Sequence, residues 1–88
     1  DNFPVLEHRA ALWLSNFKLK GIAIDAISID SVSTTTFDNH NVFLGANNII
    51  IENLTNLENI LQNTFTLSVL PLKTFDADGS PTRAVAML

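Results

Sequence analysis

Apolar residues recur along this chain at two spacings, and the switches between them mark out its elements. In segment 5–17, Leu6, Ala10, Trp13, Leu14 and Phe17 fall on one face, while Glu7, His8, Arg9, Ser15 and Asn16 fall mostly elsewhere. That is helical periodicity with a buried stripe. Lys18 and Lys20 followed by Gly21 make a fitting helix end. Gly21-Ile22-Ala23-Ile24-Asp25 predicts a short buried strand. Ala26 to Asp30 alternates, and either extends that strand or leaves it as a loop.

Residues 31–36 are polar and β-branched and predict a loop, and 37–46 predict a helix of about two turns. Asp38 or Asn39 is available as its N-cap, and Asn47 stands at its end. Asn48 to Ile51 predicts a second buried strand. Thr55-Asn56-Leu57-Glu58 matches a capping box, and Leu54, Leu57, Ile60 and Leu61 supply an apolar face for a third helix. Residues 65–72 and 81–88 predict two strands of a hairpin-like pair, with a turn at Asp78-Gly79. The order α-β-α-β-α-β-β implies α/β layering over the first two-thirds of the chain.

Composition narrows the choice of partners. The 88 residues make one domain or less, and 47% hydrophobic content with six Phe and one Trp is core-forming material. Only 16% of residues are charged, so some apolar surface is expected to be covered by another chain or by further sequence. Net charge is −4, and Arg9, Lys18, Lys20, Lys73 and Arg83 are scattered, which argues against nucleic acid. The absence of cysteine excludes disulfides, thiolate metal sites and cysteine nucleophiles. No apolar run approaches the roughly 20 residues that span a bilayer, so no membrane partner is expected, and a cytoplasmic setting is the default. The chain opens at Asp1 without a methionine and reads as a piece of something longer.

Candidate chemistry centres on His40 and Glu52. Glu52 follows three isoleucines, where a charge is costly unless paired or coordinated. A helix from His40 to Ala46 advances about 9 Å at ~1.5 Å per residue. The strand from Asn48 to Glu52 returns about 13 Å at ~3.3 Å per residue. The two paths roughly cancel, which puts both side chains at the carboxyl end of the strand, where α/β folds place their chemistry. An imidazole nitrogen and a carboxylate oxygen are ordinary ligands for zinc or manganese. Spacing alone is better explained by a Glu52 that caps the next helix and a His40 that is a partly exposed polar residue, since two ligands do not make a site.

Three stretches carry a resemblance: "GIAIDAISID" (21–30), "NHNVFLGANNIIIENLTNL" (39–57) and "LPLKTFDADGSPTRAVAML" (70–88). They resemble the C-terminal half of the cyclase family, to which bacterial kynurenine formamidases and isatin hydrolases belong, and "FPVLEHRAALWL" (3–14) resembles the preceding helix. The resemblance implies an α/β layered fold of the swivelling β/β/α type, with residues 1–88 as the C-terminal portion of one such domain. It also implies a divalent metal, zinc or manganese, that activates water for hydrolysis of an amide or cyclic amide such as an aryl formamide. On this pattern His40 and Glu52 are metal ligands. The family's His-x-Gly-Thr-His-x-Asp-x-Pro run and its acid/base histidine belong to the N-terminal half, and no such run occurs here. The chain alone is therefore expected to be inactive. The resemblance implies as partners the N-terminal portion of the same protein (a separate or clipped chain), further copies in a homo-oligomer, and a small-molecule substrate.

Other candidates are weaker. Asp25 and Ser28 resemble a segment that lines the substrate in relatives, although turn and capping chemistry explains Asp25, Ser28 and Asp30 as well. Ala26-Ile27 stands where many relatives carry Thr-Pro. His8 is expected on the exposed polar face of the first helix, and Asp76 and Asp78 belong to a hairpin turn rather than a calcium loop. A non-catalytic α/β interaction or oligomerisation module is the alternative function.

Overall fold

The computed structural model describes residues 2–88 as two compact units, the first ending at Thr55 and the second running from Asn56 to Leu88. In the first unit, helix α1 (His8–Leu14) leads to strand β1 (Gly21–Ala23), then helix α2 (Asp38–Gly45) and strand β2 (Ile49–Ile51). The second contains a 3₁₀ turn (Leu57–Asn59) and strands β3 (Thr66–Pro71) and β4 (Thr82–Met87).

β1 and β2 pair in parallel, with Gly21 opposite Ile49, Ile22 opposite Ile50 and Ala23 opposite Ile51. Backbone pairing continues past the strand ends: Ile49 N donates to Lys20 O at 2.9 Å, and Ile24 N donates to Ile51 O at 2.9 Å. Gly21 is required here, because a Cβ would lie 2.5 Å from both the carbonyl oxygen and the Cγ1 of Ile49. α1 packs against α2, and α2 against β2. Ala11, Ile29 and Phe43 are fully buried between them, with Leu6, Leu14, Ile22, Ile24, Val42 and Ile50 packed around this centre. The core is thus drawn from both helices, the sheet and the loop that carries Ile29.

The first helix is shorter than its pattern. It closes at Leu14, where the amides of Asn16 and Phe17 turn back to the carbonyls of Trp13 and Leu14, and Ser15 Oγ donates to Leu12 O at 2.7 Å. Only Ala11 of this helix is fully enclosed. Trp13 and Phe17, expected in the buried stripe, are exposed and pack on each other edge to face, with centroids 4.7 Å apart. Residues 26–30 leave the sheet as a loop, one of the two courses open to them.

The predicted third helix is corrected to a single 3₁₀ turn, so the order is α-β-α-β, a 3₁₀ turn, then β-β. Asn56 adopts a left-handed conformation (φ 65°), its side chain caps nothing, and Leu61 is 87% exposed. A capping box nucleates a helix only where an apolar face then finds a surface to bury on. The hairpin is as expected: β3 and β4 are antiparallel, from Thr66 opposite Met87 to Pro71 opposite Thr82. Among the described residues no helix is long and apolar enough to cross a membrane.

Candidate metal centre

α2 begins without a cap of its own. Its N-cap position is Phe37, in the left-handed region at φ 51° and ψ 49°, and no side chain at that position bonds the helix. Neither Asp38 nor Asn39 serves as the cap, contrary to expectation. The helix instead receives Asp30 from the preceding loop. Asp30 Oδ1 accepts the amide of Asn39 at 3.0 Å, and Oδ2 accepts the amide of His40 at 2.9 Å. A carboxylate placed over a helix N-terminus satisfies orphan donors and complements the helix dipole.

The same Oδ2 lies 2.8 Å from His40 Nδ1. Burial by itself would raise the Asp30 carboxyl, but hydrogen bonds from the His40 ring, from the His40 and Asn39 amides, and the charge of His40 together hold it below the usual aspartate range. An ionised carboxylate only accepts, so Nδ1 is the donor in this bond. His40 thereby presents Nε2, and Nε2 stands 3.3 Å from Glu52 Oε2. Glu52 is held in turn by the amide of Ile29, which donates to Oε2 at 3.1 Å. Both side chains are about three-quarters buried, His40 at 23% and Glu52 at 24% exposure.

The backbone delivers these groups by local rules. β2 ends at Ile51, and Asn53 turns the chain at φ 62°, a left-handed conformation that Asn tolerates better than most residues. Asn53 N donates to Ala26 O and Leu54 N to Ile24 O, which ties the turn to the chain leaving β1. On the helix side, buried Asn39 donates to Leu6 O and Ile29 O, and its Oδ1 lies 3.0 Å from His8 Nδ1. His8 is exposed, as its place on the polar face of α1 predicts. The Phe37 ring stands edge-on to the His40 imidazole, with centroids 5.8 Å apart.

The arrangement suits a cation. With Nδ1 protonated, a neutral His40 directs the Nε2 lone pair at a carboxylate oxygen, and two acceptors facing each other repel. A proton or a metal ion shared between them makes the approach favourable. Two ligands each ~2.0–2.1 Å from a tetrahedral ion stand about 3.3 Å apart, which the observed Nε2–Oε2 separation matches. Among the described residues, no group of three or more His, Cys, Asp and Glu side chains is arranged to hold a metal ion.

Sequence reasoning placed His40 and Glu52 at one end of the layer, and the structure brings them together. It did not single out Asp30 as the carboxylate bonded to the His40 ring. The available signal was an aspartate ten residues before His40, in a loop leading to a helix that lacks its own cap. Ser28 Oγ accepts the amide of Asp30 at 3.0 Å, which matches the turn chemistry expected of this pair. Asp25 is exposed where the chain leaves β1.

Comparison with known proteins gives a consistent picture. No family model matches the chain. A kynurenine formamidase of Bordetella avium is 35% identical over 85 residues, 97% of this chain and 40% of that protein. A kynurenine formamidase of Delftia acidovorans is 39% identical over 72 residues, 82% of this chain and 34% of that protein. An uncharacterized protein of Methanocaldococcus jannaschii is 42% identical over 66 residues, 74% of this chain and 36% of that protein. The solved structure of a potential metal-dependent hydrolase with cyclase activity superposes with a TM-score of 0.85 at 27% identity, over 96% of this chain and 41% of its own. A predicted metal-dependent hydrolase from Bacillus stearothermophilus gives the same TM-score over 40% of its chain. The chain thus spans about two-fifths of the length of the relatives it matches.

Proposed function

We propose, from the premise that this chain belongs to the cyclase family and matches the C-terminal part of its members, that it supplies two ligands of a divalent metal site in an amide hydrolase. His40 gives Nε2 and Glu52 gives a carboxylate oxygen. The remaining ligands and the acid/base group come from the N-terminal portion of the longer protein, together with which residues 1–88 form one catalytic domain. Two protein ligands fall short of the three or four that zinc sites use, so residues outside this chain must complete the site. By itself the chain is inactive on this reading.

When bound, the divalent ion (zinc or manganese) supplies Lewis acidity, making water a competent nucleophile at neutral pH and polarising the scissile carbonyl. The chain's own groups set the geometry. The Ile29 amide fixes Glu52 Oε2, and the Nδ1 bond fixes which ring nitrogen His40 presents. Asp25 and Ser28, on the loop that also carries Asp30, are the chain's own candidates for lining the substrate. By analogy with the kynurenine formamidases it resembles, that substrate is an aryl formamide or a related amide.

The observation that carries the reading is the 3.3 Å approach of His40 Nε2 to Glu52 Oε2, a separation that two ligands of one tetrahedral ion would also have. The test uses the complete protein with Glu52→Gln and His40→Ala, reading metal content by mass spectrometry and turnover on an N-formyl arylamine. Both quantities are expected to fall together in each variant. Metal content and turnover at the unsubstituted level would reject the assignment.

The alternative, a non-catalytic interaction module, draws on the apolar side chains the hairpin leaves exposed, among them Leu70, Leu72 and Met87. A complete protein that binds no divalent ion at all would favour it.

A further inference from the structure

Two consecutive residues hold both halves of the candidate centre. The Ile29 amide donates to Glu52 Oε2 at 3.1 Å, and the Asp30 carboxylate takes His40 Nδ1 at 2.8 Å. Asp30 is only 7% exposed, and its backbone is pinned by Ser28 Oγ on its own amide. Its two oxygens accept three donors: the Asn39 amide, the His40 amide and the His40 ring. A carboxylate so occupied has little freedom to rotate. The imidazole it holds is therefore fixed in tautomer and in ring plane.

Resting on the ligand reading above, we propose that Asp30 is the positioning residue of this centre. It holds His40 with Nδ1–H bonded away from Glu52, so that Nε2 alone is presented to a metal ion. The separate task of capping α2 falls to the same carboxylate, and the two roles can be told apart. An amide at position 30 keeps one acceptor but turns a donor NH₂ toward either the helix amide or the ring N–H. With its oxygen on the Asn39 amide it keeps that part of the cap and loses the ring; turned over, it keeps the His40 amide and the ring on a neutral, weaker acceptor and loses the Asn39 amide. Carboxylates in this relation to a ligating histidine orient the ring and raise its basicity, and removing one costs about 10–100-fold in metal affinity.

The test compares the complete protein with its Asp30→Asn variant by two readouts. Metal affinity is measured by chelator competition, and the His40 tautomer by ¹⁵N shifts of the neutral imidazole in the metal-free protein. Asp30→Asn is expected to weaken metal binding about 10–100-fold and to raise the population with Nε2 protonated. Thr34→Ala is the structural control, because Thr34 Oγ1 accepts the amides of Thr36 and Phe37 ahead of α2 without touching the ring. It should lower stability while leaving tautomer and affinity unchanged. If Asp30→Asn lowers stability alone, Asp30 is a cap and the proposal is overturned.

Should Asp30→Asn fail to fold, the unsubstituted protein still decides. A neutral His40 with a bare Nδ1 overturns the proposal, and one protonated at Nδ1 supports it. His40→Ala and Glu52→Gln measured alongside separate the two readings. If both keep full metal affinity, the ligand reading fails regardless of what the tautomer shows.

Discussion

Asn53 and Asp30 show how much of this centre depends on single backbone positions. Asn53 turns the chain directly after Glu52 at φ 62°, where a β-branched side chain costs about 1–2 kcal/mol. Asn53→Val is expected to destabilise the protein by about that amount, read from its denaturation midpoint, and to lower metal affinity by redirecting Glu52. Asn53→Gly should be near neutral in both. Asp30 adds a dependence on pH. Its folded carboxyl titrates below the ordinary aspartate range, so the folded state takes up that proton less readily than the unfolded chain. The stability it contributes is complete above the ordinary range and drains away as pH falls from there through the folded value. Denaturant midpoints of the metal-free protein, followed from neutrality into acid, should show this loss, and Asp30→Asn should flatten it. Phe37, left-handed at φ 51° without the excuse of a small or polar side chain, is the strained residue of the site. Its ring set edge-on against His40 is the compensating contact the structure offers.

Between elements, close approach decides what is tolerated. A Cβ on Gly21 meets the Ile49 carbonyl at 2.5 Å, and backbone cannot step aside as a flexible side chain can. Gly21→Ala should therefore part β1 from β2 and cost about 1–3 kcal/mol in chemical denaturation, as overpacking does. Gly45, at the end of α2, has open space around its Cβ position and no left-handed backbone. Gly45→Ala is expected to stabilise by about 0.4–1 kcal/mol through the unfolded chain. The positions of α2, both parallel strands and the hairpin were legible in the sequence, but the burial of the two parallel strands was overstated. β1 is only partly buried and Ile49 of β2 is 56% exposed, with Ile51 alone of the three isoleucines enclosed. The meeting of His40 with Glu52 was legible too, because the helix rise and the strand return could be set against each other. The third helix was misread, since residues 55–58 satisfy a local rule while Leu61 finds nothing to pack against. Asp30 escaped notice for the converse reason. It caps α2 from nine and ten residues upstream, beyond the reach of any cap motif, which spans three or four positions.

Across the whole molecule, the core and the candidate centre share one piece of backbone. Ile29 is fully buried beside Ala11 and Phe43, its amide holds Glu52, and the next residue holds His40. Phe43→Ala should cost about 3–5 kcal/mol, a large part of what a domain this size possesses, and should be visible as a lowered melting temperature. The arrangement also makes the protein its own reporter. The amide protons of Ile29, Asn39 and His40 all end on the carboxylates of Glu52 and Asp30. In a deuterium-exchange experiment one movement releases all three, because Ile29 and Asp30 are consecutive and the loop that carries them lifts from Glu52 and from the start of α2 together. They should exchange as one cooperative opening unit at a common rate. An ion that binds only the closed form should slow all three by the same factor, one plus the ratio of its free concentration to its dissociation constant.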